Sequence, residues 1–138
     1  MNRVLFNNNG LTGDRMANIL EGLDQISDFK SIIYKKNEFN LASVAKLEPL
    51  FHRQIPDHLS ELRIIDCNIH CKVIEGLLDL MMETSCQIRT FSLVNVHHSQ
   101  NSFRKLCQYV QTSRRLRELD ASWQCVLPAT FMQLLEVI

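Results

Sequence analysis

Punctuation is what this chain lacks: 138 residues hold only four glycines and three prolines. With so few breakers, organisation has to be sought in self-similarity rather than in linkers. Net charge is also absent, since fifteen basic residues balance fifteen acidic ones. That removes any whole-chain electrostatic case for nucleic acid or an acidic membrane surface. No apolar run approaches the roughly 18 to 20 residues of a membrane span. No Asn-x-Ser/Thr acceptor and no signal-peptide pattern occur, and the cysteines (67, 71, 86, 107 and 125) are odd in number. Together these lead us to expect a cytoplasmic, intracellular protein. At 46% hydrophobic the chain has material for one ordinary core.

The first residues raise a local question. Arg3 to Leu11 read RVLFNNNGL, and Asn9-Gly10 is a strong hairpin signal. A hairpin needs a second alternating strand. Instead Met16, Ile19, Leu20 and Leu23 recur at helical spacing, so the asparagines stand between a strand and a helix.

The same arrangement recurs. Apolar residues followed by Asn or Cys fall at Met1, Val4, Phe6, Asn9, Leu11, then at Phe29, Ile32, Tyr34, Asn37, Phe39, then at Leu59, Leu62, Ile64, Cys67, Ile69. A fourth copy runs Ile88, Phe91, Leu93 and departs at Val96 and His98; a fifth runs Leu116, Leu119, Ala121, Gln124, Val126 and departs at Ala121 and Gln124. The starts lie 28, 30, 29 and 28 residues apart. Fifteen residues after each start stand Met16, Val44, Ile74, Phe103 and Phe131, followed by Ile19, Leu47, Leu77, Leu106 and Leu134, and then by Leu23, Phe51, Met81, Val110 and Ile138. This i, i+3, i+7 spacing predicts a buried helical stripe in every unit. Leu20, Leu78, Cys107 and Leu135 widen it, with Glu48 the exception, and Pro49 should make the second helix the least regular.

On these residues the chain resembles leucine-rich repeat proteins of the ribonuclease-inhibitor-like subfamily, over its whole length and in five units: about 1–28, 29–58, 59–87, 88–115 and 116–138. The resemblance implies one α/β domain, a horseshoe-shaped solenoid with a parallel sheet on the concave face and α-helices on the convex face. It implies a non-catalytic module that binds a protein partner, a scaffold, or alternatively a bracing segment of a cytoskeletal or sensor assembly that touches its neighbours through uncapped ends.

The ninth place of each unit wants asparagine because the chain leaves the sheet there, stranding backbone groups at about 1 to 3 kcal/mol each. Asn9 and Asn37 should form a structural ladder, Cys67 a weaker rung, and Val96 none. Asn8 should tolerate change. Met1 falls on the first strand place and Ile138 on the last core place, and neither end carries a polar cap. The expectation is a piece of a longer array, or ends that pack on a partner or on another copy.

Candidate chemistry is thin. Cys67-Asn68-Ile69-His70-Cys71 has no C-x-x-C, and Cys67 points inward, so no metal is expected. His97-His98 reads as a solvated turn, and Cys107 as a small buried hydrophobe. Asn9 to Gly13 lacks the lysine of a phosphate loop, no catalytic triad spacing occurs, and neither an enzyme activity nor a cofactor is expected. Arg114, Arg115 and Arg117 sit beside Glu118 and Asp120, as a self-paired surface.

That leaves the strand residues that alternate with the core. The third places carry Arg3, Ser31, Glu61, Thr90 and Glu118; the fifth, Leu5, Ile33, Arg63, Ser92 and Asp120; the seventh, Asn7, Lys35, Ile65, Val94 and Ser122. Leu5, Ile33, Ile65 and Val94 should be exposed apolar residues on adjacent strands, with Lys35, Glu61 and Arg63 among them and Trp123 near the far end. This is the expected partner-binding face. Its charges alternate in sign, which argues against nucleic acid.

Overall fold

The computed structural model describes residues 3–25, 29–53, 59–124 and 126–137. Met1, Ile138 and Cys125 lie outside the described residues, so their expected places are not described further.

Strands and helices alternate along the chain: β1 (Arg3–Asn7), α1 (Gly13–Asp24), β2 (Ser31–Lys35), β3 (Glu38–Phe39), α2 (Leu41–Phe51), β4 (Glu61–Ile65), β5 (Asn68–Ile69), α3 (Cys71–Glu83), β6 (Thr90–Val94), α4 (Gln100–Thr112), β7 (Glu118–Asp120) and α5 (Pro128–Leu135). Five strands form one parallel sheet in the order β1-β2-β4-β6-β7, and β3 pairs with β5 in a second, two-stranded sheet. The fold is thus mixed α/β, with a five-stranded parallel sheet and five helices among the described residues. No helix among the described residues is long and apolar enough to cross a membrane.

Register follows the sequence pattern residue for residue. Arg3 lies beside Ser31, Ser31 beside Glu61, Glu61 beside Thr90 and Thr90 beside Glu118, offsets of 28, 30, 29 and 28 residues. Alternate strand residues point into a core shared with the helices: Val4, Ile32, Leu62 and Phe91 in one row, and Phe6, Tyr34, Ile64 and Leu93 in the next, all buried. Phe6 stacks on Tyr34 at 5.3 Å, and Phe39 meets the Tyr34 ring edge-on at 4.9 Å.

Each helix begins thirteen residues into its unit, and the residue before it is the cap. Thr12, Asn40, His70 and Ser99 each accept a backbone N–H from the first turn that follows. Leu127 supplies no side-chain cap, and there Pro128 opens the helix with the φ it needs. Asn40 forms a capping box with Ser43 and donates to Asp14 at 3.5 Å, tying the start of α2 to the start of α1. Gly13 has no side chain because Asn40 fills the space: a Cβ there would lie 2.4 Å from the Asn40 amide.

Two expectations for the helices need correction. Helix α2 runs through Pro49 to Phe51, and α5, at eight residues, is the shortest. Pro49 sits in the last turn, so only the exposed Ala45 carbonyl loses a donor, and water can replace it. Ile19, Phe131 and Leu135, expected in the stripe, are exposed. They belong to α1 and α5, each of which packs against one neighbouring helix rather than two.

A candidate protein-binding face

The strand residues that do not enter the core fall into the three rows expected for them. Leu5 lies beside Ile33 and Ile33 beside Arg63, while Lys35, Ile65 and Val94 align in the row beyond. The structure therefore brings together seven of the eight candidate face residues: Leu5, Ile33, Lys35, Glu61, Arg63, Ile65 and Val94. Trp123 follows in the turn after β7, 83% exposed.

Their exposure differs from expectation. Leu5 is exposed, but Ile33, Ile65 and Val94 are half-buried. Parallel neighbours stand about 4.8 Å away on each side of a central strand and cover its side chains, whereas Leu5 is on the edge. Ser92, in the same row as Ile33, is fully buried, and its hydroxyl lacks a partner among the described residues.

Glu61 is the electrostatic centre of the face. Its carboxylate accepts from Arg63 Nε at 2.6 Å and from the Ser31 hydroxyl, and Arg3 approaches to 3.4 Å. Arg63 also reaches Glu118 at 3.7 Å, and the Thr90 hydroxyl donates to Glu118 at 3.4 Å. Partial burial works to raise the Glu61 carboxyl, but the Ser31 hydroxyl and the two arginines outweigh it and hold it below its usual range. The Lys35 ammonium has no hydrogen-bond or ion-pair partner among the described residues. The rows therefore offer a free cation beside Ile33 and Ile65, with a self-neutralised cluster next to them.

Behind the face, the ninth places close the turn. The buried Asn37 amide donates to Phe6 O at 3.1 Å and to Lys35 O at 2.8 Å, and its oxygen accepts the Asn9 N–H at 3.3 Å. Cys67 donates to Ile65 O at 3.4 Å, and burial pushes its thiol up. Asn9 is a correction. It is exposed, and only its backbone takes part, because among the described residues β1 is an edge strand and no earlier strand presents a carbonyl to its side chain. Gln124 does what sequence reasoning had treated as a departure: its amide nitrogen donates to Leu93 O and, at 3.2 Å, to Ser122 O.

The eighth place was missed altogether. Asn8, Lys36, Asp66, Asn95 and Trp123 all take left-handed backbone, with φ of 47°, 53°, 52°, 52° and 59°. Asn8 is therefore not free to change. The asparagine and aspartate members hinted at this, but Lys36 and Trp123 gave no signal. Trp123 is a bulky side chain held at positive φ and left in solvent, two costs at once.

The other candidates fall outside the face. Cys67, Cys86, Cys107 and Cys71 are free thiols, and among the described residues no group of three His, Cys, Asp or Glu is arranged to hold a metal. His98 is not a solvated turn. It is buried against Phe103, with Nδ1 3.1 Å from the Ser102 hydroxyl, and it fills the apolar eleventh place. Burial, aided by His97, pushes its pKa down to about 4.

Compared with known proteins, no family model matches the chain, and no curated protein matches it in sequence.

Proposed function

We propose that this chain is a leucine-rich repeat array of the ribonuclease-inhibitor-like kind, a solenoid arc of five units whose open sheet face holds a protein partner without catalysing a reaction. The observation that carries this reading is the in-register parallel sheet. Five strands pair at offsets of 28, 30, 29 and 28 residues, the spacing of the sequence pattern, and their non-core rows align across all the units. Aligned rows give a broad, stiff surface on which side chains from separate units act together, the form in which repeat proteins engage partners. Trp123, exposed in a costly backbone conformation, fits an anchor for that partner. The free thiols fit a cytoplasmic protein.

Proximity labelling followed by binding to the identified partner tests this function. Ile33→Asp and Ile65→Asp should each weaken the partner's affinity, and Trp123→Ala should do so most, while folding is retained by circular dichroism. Undiminished affinity in all three variants would make the rows bystander surface.

A bracing role through the ends is the second reading. It is favoured by one specific observation: every exposed large apolar side chain among the described residues lies in residues 5–41 or 123–135.

A further inference from the structure

The pocket between the C-terminal ends of α3 and α4 shares no residue with the strand rows of the sheet face. We infer that it binds a small molecule carrying a phosphate monoester, with Arg114 and Arg115 holding the phosphate, Ser85 donating to it and the organic part lying over Met82. The inference goes beyond partner binding on the sheet face and does not depend on it.

The pocket measures about 450 Å³, within the range of small-molecule sites and more than a bare phosphate fills. Met81, Met82 and the Tyr109 ring supply its apolar floor. Arg114 and Arg115 supply its charge, and among the described residues no carboxylate lines it. Adjacency in sequence suggests that these arginines pair with Glu118 and Asp120. Instead Glu118 is taken by Arg63 and Thr90, Asp120 accepts the Ser122 N–H, and neither guanidinium has a partner among the described residues. Two unpaired guanidinium groups call for a dianion. A phosphate monoester carries nearly two charges at neutral pH, and its oxygens match the guanidinium fork. A carboxylate would neutralise only one of the two.

Helix C-termini repel anions, but here their last carbonyls are covered by protein donors. Leu80, Met81 and Met82 O accept the N–H groups of Thr84, Cys86 and Ser85, while Gln108 and Tyr109 O accept the Thr112 hydroxyl and the Ser113 N–H. The guanidinium groups therefore set the charge of the pocket. Ser85 is a second, independent sign. The bonds from Ser85 N–H to Met82 O and from Cys86 N–H to Met81 O close α3 on a left-handed residue, a place where glycine is the usual occupant. Serine stands there instead, at φ of 48°, and its hydroxyl lines the pocket without a partner among the described residues. It strains the backbone and adds a donor beside the arginines, as strained residues at ligand sites do.

Isothermal titration of the purified chain with phenyl phosphate, inorganic phosphate and benzoate tests the inference. Phenyl phosphate should bind at one site and move the amide NMR signals of Ser85, Gln87, Ser113 and Arg115. Inorganic phosphate and benzoate should bind several-fold more weakly. Arg114→Gln and Arg115→Gln, both at exposed positions that leave folding intact, should each weaken phenyl phosphate about tenfold. Ser85→Gly should weaken it several-fold while raising the melting temperature, a combination that a purely structural serine would not produce. Arg117→Gln, an equal change of charge outside the pocket, should leave affinity unchanged. Absence of saturable binding, or equal affinity for benzoate or inorganic phosphate, would overturn the inference. An equal loss from Arg117→Gln would do the same by marking a diffuse basic surface. Partner affinity is read separately, so loss of either result leaves the other standing.

Discussion

The third and fifth units share one sequence pattern and reach different ends. In the third, β4 and α3 have neighbours on both sides, and Leu62, Ile64, Ile74, Leu77 and Leu78 are all fully buried. In the fifth, β7 has three residues and α5 eight; only Leu134 is buried among its described residues, while Phe131 and Leu135 face solvent. An apolar stripe states where a residue can be buried. Whether it is buried depends on the neighbour that the unit meets.

The largest test of that difference is truncation in matched rows. Leu78→Ala should cost about 2 to 5 kcal/mol in urea unfolding, as transfer and cavity terms add, while Leu135→Ala should stay within about 0.5 kcal/mol, the range of ordinary surface changes. Equal losses would mean that the end unit is as well packed as the middle.

Acid should also strike the middle first. His98 is held neutral, with a folded pKa of about 4 against an ordinary value of 6.5. Below pH 6.5 the unfolded chain binds the proton that the folded one refuses. His98's contribution is therefore complete above pH 6.5 and lost as pH falls towards 4, by about 3 kcal/mol in all. His98→Leu, which restores the apolar residue that other units carry at this place, should flatten stability over that window in urea melts at stepped pH.

Next come the rungs. Asn37→Ala should cost about 1 to 3 kcal/mol by stranding Phe6 O, Lys35 O and the Asn9 N–H. Asn9→Ala should cost almost nothing by thermal melting, and a loss there as large as at Asn37 would restore its place in the ladder. Smallest is the backbone effect. Lys36→Gly should raise stability by up to about 1 kcal/mol because glycine accepts φ of 53° without strain, and Asn8→Ala should lower it by about as much.

The strand rows, the helix stripes and the pairing offsets were legible because they depend on one property, apolarity, repeated at fixed intervals. Cys67 and Asn37 could be placed at the turn for the same reason. The left-handed eighth place was not legible. Asparagine, lysine, aspartate and tryptophan share no side-chain chemistry, and what they share is a φ angle set by the turn. Gln124 looked like a departure because residue identity was compared, while the turn needs only an amide long enough to reach Leu93 O. Ile33, Ile65 and Val94 were overrated as exposed because alternation tells which way a side chain points and not how closely the next strand crowds it. His98 misled by its class, since a histidine in an apolar row is read as solvated until its burial is seen.

Every substantial pairing of elements joins neighbours along the chain: β1 with β2, β2 with β4, α1 with α2, and so on to α4 with α5. Among the described residues no strand returns to lock the first unit against the last. A pulling force applied to the two termini therefore meets no single clasp. The molecule should lengthen in instalments, yielding first where α5 is anchored by one buried leucine, with the middle units the last to let go.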